Sequence, residues 1–321
     1  MKIRTLLAAG LAALLSSTAF AQAWPAKPIR LMVPFPPGGS TDIIARIVAQ
    51  KLSERLGQSL VIENRGGAGG TIGTAQVAKA APDGYTLTIA TTTTHVVAPS
   101  VYRKIDYDPV KDFAPVGAMA VTPYLLMVHP AVPAKTLQEF LELARKNPGK
   151  LNYASAGVGS TTHLAMEMLK TSSKTFMLHV PYNGNGPAGT ALISGQVEAL
   201  FGSLPAILSY AKSGRGRPLA VGTPKRSPSL PDVPSVSELG FPGFDASLWI
   251  ALVAPAGTPA PVVERLNKEL NTLVSGAEMK DAFDKAGAEP LTGTPAELAA
   301  MIRDGIPKYA AIVKASGVTP E

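Results

Sequence analysis

Few residues in this chain have the type and spacing that bond-making chemistry needs. The four histidines, His95, His129, His163 and His179, are far apart in sequence and show no metal-ligand spacing. No Gly-x-Ser-x-Gly elbow and no His-Glu-x-x-His helix is present. Ser160 and His163, three apart at a predicted helix start, could act as nucleophile and base in a carboxylate-processing hydrolase. No third group is indicated to orient the histidine, so a polar helix end is the plainer reading. Asp42 could act as a general base, but an aspartate in a helix first turn ordinarily answers the helix dipole. Cysteine is absent, which excludes disulfides and thiolate metal sites. Neither a metal nor a cofactor is expected.

Binding chemistry is better represented. In 29-IRLMVPFPPGGSTDIIARIV-48 the alternation of Ile29, Leu31 and Val33 predicts a strand. The spacing of Ile43, Ile44, Ile47, Val48, Leu52 and Leu56 predicts a helix that Gly57 ends. Between them Gly38, Gly39, Ser40, Thr41 and Asp42 put flexible backbone and hydroxyls at a helix N-terminus. Free N–H groups and the positive end of the dipole make that spot favourable for an anion; plain capping by Ser40, Thr41 or Asp42 is the alternative. The construction recurs in the second half of the chain. Strand 151-LNYAS-155, ending in Ser155, runs into 156-AGVGS-160 and a helix from Thr161. Gly157 and Gly159 allow close backbone approach, and Ser160, Thr161 and Thr162 supply hydroxyls. Two such starts suggest two jaws around one anion, with His163 able to line the cleft.

Other elements fall around these two. Leu60-Val61-Ile62, a glycine-rich loop over 66–70, a short helix and the strand 85–90 complete a β-α-β-α-β unit, the pattern of a parallel sheet. That last strand runs into four threonines at 91–94; Thr92 and Thr93 face a ligand or form a sheet edge. The loop 181-PYNGNGPAG-189 contains a literal Gly-x-Gly-x-x-Gly. A nucleotide site is rejected, because Pro187 interrupts the fingerprint and no acidic residue follows at the right distance. The loop is better taken as a third ligand-facing segment, with Tyr182 and Asn183 as polar contacts. Phe35 is either a pocket wall or a core residue. Asp245 either faces the ligand, where it would favour an ammonium group, or is a solvated loop residue.

The organisation is expected to be α/β, with two α/β domains joined by two crossing strands around a central cleft. The first domain is expected to combine 24–122 with 246–321, and the second, 123–245, to be inserted. The crossings are expected near 116–128 and 243–253. Residues 1–23 have the pattern of an export signal: Lys2 and Arg4, the apolar run Leu6 to Leu15, then small residues. Cleavage is expected after Ala21 or Ala23, giving a soluble periplasmic protein. Removing Lys2 and Arg4 from 30 basic residues leaves 28 against 23 acidic ones, a net +5. That charge is scattered and gives no nucleic-acid footprint.

The succession PAKPIRLMVPFPPGGSTDIIAR, GAGGTIGTAQVAKAAPDGYTL, ASAGVGSTTHLAMEML, VPYNGNGPA, LPDVPSVSELG and APAGTP closely resembles the Bug family. These are the TctC-like solute-binding receptors of tripartite tricarboxylate transporters. The resemblance covers essentially the whole chain after the signal. It implies a type II periplasmic-binding-protein fold that closes by hinge bending on a small carboxylate. It places the ligand carboxylate at Gly38–Asp42 and Gly157–Thr162, with the threonine run and the Tyr182-Asn183 loop in the same cleft. It also implies delivery to membrane subunits by a monomeric receptor that is not an enzyme. A sensor for a signalling partner is the alternative. Di- and tricarboxylates, acidic amino acids and aromatic acids all occur as ligands of such proteins, and these motifs do not choose among them.

Overall fold

The structure is a computed structural model and describes residues 24–318. The export segment and both expected cleavage points lie outside the described residues. β1 (Ile29–Val33) is buried at Met32 as well as at its alternating positions. A central strand of a parallel sheet is covered on both faces, so strict alternation is lost. α1 (Ser40–Leu56) ends where Gly57 turns left-handed at φ 71° and returns its N–H to Ser53 O. β2 (Leu60–Asn64), α2 (Thr71–Ala78) and β3 (Thr86–Thr91) follow, and β1 pairs in parallel with both β2 and β3. The threonine run forms no sheet edge. Thr92–Val97 is a π-helical turn, closed by reciprocal Thr91–Thr94 side-chain bonds, which leads into the one-turn α3 (Ala98–Val101).

β4 (Phe113–Val128) is the long crossing. α4 (Leu137–Lys146) starts at Thr136, whose hydroxyl accepts the Glu139 N–H. The Glu139 carboxylate takes the Lys135 N–H instead of returning to Thr136, so only half of a capping box forms. Then come β5 (Asn152–Ser155), α5 (Thr161–Ser173), β6 (Leu178–Pro181), α6 (Asn185–Ile193), β7 (Ala199–Ser203), α7 (Leu204–Lys212) and β8 (Arg217–Val221). The proline- and serine-rich arm over 223–245 buries Val236 and Phe244 and is pinned by an Arg226–Glu238 ion pair. β9 (Ser247–Pro255), α8 (Ala260–Val274), α9 (Ala277–Ala286), β10 (Glu289–Pro290) and α10 (Pro295–Ala315) complete the chain, with α10 continuing through Pro307.

One strand joins the two halves of the sheet, whose order is β2-β1-β3-β9-β4-β7-β5-β6. From Phe113 to Pro123 β4 pairs with β9, and from Tyr124 to Val128 it pairs with β7, with β8 also paired along that stretch. The change of partner falls at Pro123, a residue with no N–H to give to a ladder. Beside it, Gly222 N–H donates to Tyr124 O, and Gly222 O accepts from Ala246 N–H. The two crossings therefore lie against each other.

The halves touch again above the crossings. Thr93 and Thr161 join hydroxyls at 3.1 Å, and the Tyr102 hydroxyl donates to Val158 O at 3.3 Å. Gly159, at φ +66°, packs so closely that an added Cβ would stand 1.9 Å from Val101 Cγ1. Gly159→Ala should therefore push the halves apart, at a cost of about 1–3 kcal/mol for overpacking plus left-handed strain. The expected result is a lower melting temperature and a larger radius of gyration by small-angle scattering, partly relieved by adding Val101→Ala. Unchanged values for the single variant would show that this contact does not govern the approach of the halves.

Candidate functional site

The starts of α1 and α5 face each other across a small space of about 20 Å³, room for roughly one water. Gly39, Ser40 and Thr41 line one side, and Ser160, Thr161 and Thr162 the other. Thr93 comes from the π-turn, Tyr124 from the crossing strand, and Asn183 to Pro187 from the end of the loop and the first turn of α6. Phe35 and Leu248 close the ends. All three loops picked out from sequence thus meet at one place.

The two helix starts differ. No side chain caps α1, so its first N–H groups have no capping partner. α5 is capped: Ser160 Oγ accepts the His163 N–H at 3.2 Å while its own proton goes to Gly157 O at 2.7 Å. Thr162 Oγ1 accepts the Ala156 N–H at 2.9 Å. Thr161 Oγ1 bonds to Thr93 Oγ1 and, through a short contact, to the Tyr124 hydroxyl. Burial pushes the Tyr124 phenol well above its ordinary range, so it stays a neutral donor.

Asp42 is buried but absent from the lining. Its carboxylate accepts the Gly38 N–H at 3.0 Å, Arg46 Nε at 3.0 Å and Asn64 Nδ2 at 2.9 Å. Asn64 also donates to Phe35 O, so one network ties both ends of the 35–38 loop. Burial raises the Asp42 pKa, but bonds from Arg46, Gly38 and Asn64 outweigh it and hold the carboxyl below its ordinary value. An acceptor this occupied shapes the loop and is no free base.

His163 likewise turns from the cleft. Its Nδ1 accepts the Gly159 N–H at 3.1 Å, which places the ring proton on Nε2, 3.7 Å from Glu167 Oε1. Ser160 meets the backbone of His163 and not its ring, so the two do not form a nucleophile–base pair. The imidazole stacks on His179, with centroids 3.8 Å apart and planes 10° from parallel. Ser155 completes the support: its hydroxyl bonds His179 Nε2 at 2.6 Å and contacts both the N–H and the carbonyl of Gly157.

Beside the inner space lies a chamber of about 280 Å³, bounded by Gly67–Gly70, Tyr102, Gly157, Val158, Tyr182 and Asn183. Phe35 forms a wall of both spaces. Thr92 lines neither; its hydroxyl accepts the Trp249 N–H and holds β9. Asp245 is exposed and lies outside both spaces. Burial and then the Asp245 charge push Tyr309 up to about 12. Sequence reasoning missed Tyr124, Leu248 and Tyr102. Tyr124 alone carried a signal, as a polar-tipped aromatic next to Pro123 in the predicted crossing.

The histidine stack makes the site acid-sensitive. Desolvation, with Lys170 nearby, lowers His163 to about 4; desolvation, His163 and Lys170 lower His179 to about 3, against the opposing pull of Glu167. The groups packed around the stack are Tyr153, Glu167, Lys170 and Ser155. A base whose folded pKa lies below its unfolded value near 6.5 stabilises the fold above that value. This stability drains away as pH falls from about 6.5 toward 4. Protonating His163 also turns Nδ1 from acceptor to donor and ejects the Gly159 N–H. Melting temperature should fall more steeply between pH 7 and 4.5 in the parent than in a His163→Gln/His179→Gln double variant. Parallel pH profiles for the two would remove the histidines as the cause.

A family model described as tripartite tricarboxylate transporter family receptor matches residues 44–318. Over 310 residues the chain is 37% identical to Protein BugT of Bordetella pertussis, covering 96% of this chain and 94% of that protein. Among solved structures, Rpa4515 of R. palustris with adipate superposes with a TM-score of 0.91 at 37% identity, covering 93% of this chain and 100% of that one. MatC of Rhodopseudomonas palustris with bound malate gives 0.84 at 34%, covering 90% and 100%. This chain belongs to the tripartite tricarboxylate transporter receptor family and has the fold of the periplasmic binding proteins within it.

Proposed function

We propose that this chain captures a small organic carboxylate between two domains that close on it, and delivers it to the membrane subunits of a tripartite tricarboxylate-type transporter. The observation that carries the reading is the meeting of two helix starts, one from each half of the sheet, at a space whose lining contains no charged side chain. N–H and hydroxyl donors aimed inward at two positive helix ends suit an anion. Family membership and the carboxylates named with the two solved structures, adipate and malate, support the same class.

In this reading the domains are 24–122 plus 246–321 and 123–245, and they bend at the paired crossings beside Pro123. Gly39 to Thr41 and Ser160 to Thr162 hold the carboxylate, Thr93 and Asn183 add contacts, and Asp42 positions the first loop. The receptor acts as a single chain in the periplasm, after cleavage of its leader behind Ala21 or Ala23. N-terminal sequencing of the native protein should begin at Gln22 or Trp24. A protein that keeps Met1 and fractionates with the cytoplasm would contradict export.

The main test is chemical. A thermal-shift screen of organic acids identifies a binder, because a ligand specific to the folded state raises its melting temperature. Calorimetry then compares that acid with its primary amide. The amide removes the charge and aims an NH₂ group at donors that cannot accept it. Losing two charge-assisted bonds at roughly 1.5–3 kcal/mol each should weaken binding by about 10²–10⁴. Equal affinities for acid and amide would end the carboxylate reading.

A further inference from the structure

We infer that the preferred ligand carries a single carboxylate, with an uncharged, apolar body seated in the chamber beside the inner space. The inference rests on the carboxylate reading and adds the chemistry of the rest of the molecule. The chamber adjoins the inner space, and Phe35, Pro36, Ala156, Asn183 and Gly184 line both. For a ligand anchored at the helix starts and too long for the inner space, the chamber is the neighbouring room.

No acidic or basic side chain lines either space. Two tyrosines border the chamber, but their hydroxyls are engaged elsewhere: Tyr102 donates to Val158 O at 3.3 Å and Tyr182 to Gln196 Oε1 at 3.4 Å. What they offer a ligand is ring surface, joined by Phe35, Val158 and Pro181. The glycines of 67–70 allow those rings to lie close. A Cβ on Gly69 would meet the Tyr102 hydroxyl at 2.6 Å, and one on Gly70 would meet Phe35 Cζ at 3.0 Å. Two amides of that loop turn inward, Gly70 N–H to Gly67 O and Thr71 N–H to Ala68 O. A second carboxylate in this half-open chamber would give up part of its water and meet no counter-charge, with these two amides already spent. An apolar group suffers no such loss. At about 280 Å³ the chamber exceeds the roughly 150 Å³ that suffices for a benzene ring.

Hexanoate and adipate form the decisive pair, since they have the same chain length and differ by one carboxylate; phenylacetate adds a ring. Calorimetry of the purified protein near pH 7.5 should show hexanoate or phenylacetate binding at least 10-fold tighter than adipate, on the order of 1.4 kcal/mol. Val158→Lys, which adds a cation to the half-buried chamber wall, should improve adipate binding about 10-fold and erase or reverse the preference. Adipate equal to or tighter than both mono-acids in the parent would overturn the inference while leaving the carboxylate reading in place. Failure of all three acids, together with no hit among other acids, would remove both.

Discussion

The hydroxyl of Thr161 is the point on which the site depends. It bonds to Thr93 from one half of the sheet and to Tyr124 from the strand shared by both halves, and it belongs to the helix start of the other half. Three hydroxyls carry three protons, and only two bonds join them. One donor is always left over, whichever direction the bonds run. All three residues line the inner space. With the N–H groups of α1 that no side chain caps, they give the space donors without any formal charge. Such donors suit an anion without a basic residue.

Donors stay aimed at one spot only if the backbone around them is held firmly. On the α1 side the task falls to Asp42, which gathers Gly38, Asn64 and Arg46 and so frees the helix start from capping duty. On the α5 side Ser160 caps the helix, His163 fixes the Gly159 amide, and Ser155 bonds both polar groups of Gly157. The two loops reach rigidity by different means. One uses a charged carboxylate kept out of the space, the other neutral hydroxyls and a neutral imidazole. Removing a partner from either network would leave a buried donor unsatisfied, at about 1–3 kcal/mol each.

The order of elements and the two glycine-hydroxyl helix starts were legible because each rests on local rules: strand alternation, helical spacing, and the habits of glycine and threonine near helix ends. Phe35, Asp245 and the threonines were left open because their fate is set by what packs on them from far along the chain. Thr92 and Thr93 look alike in the sequence, yet a π-helical turn sets one hydroxyl to accept from Trp249 in β9 and the other against Thr161. His163 stands where a helix N-terminus could present it to the cleft. The stacking partner that draws it away, His179, lies on another strand and left no trace in the spacing. Tyr124 escaped for the same reason, since its significance comes from a change of strand partner that only the folded sheet defines.

A neutral lining also bears on how two halves can part and rejoin. The facing helix starts leave room for about one water, and hydroxyl groups meet directly across the gap. A guanidinium or ammonium in that lining would have to be dehydrated each time the halves met, at several kcal/mol unless a carboxylate paired with it. Hydroxyls and amides carry a smaller penalty and can bond to each other, to water or to an anion in turn. The equilibrium between parted and joined halves can then be set near balance by the chain itself. A bound anion shifts it only by the difference in its affinity for the two arrangements. For a receptor of the proposed kind, which has to release what it captures, donors that can turn to one another or to water are better suited than a fixed cation, because parting and rejoining then move no bare charge out of water.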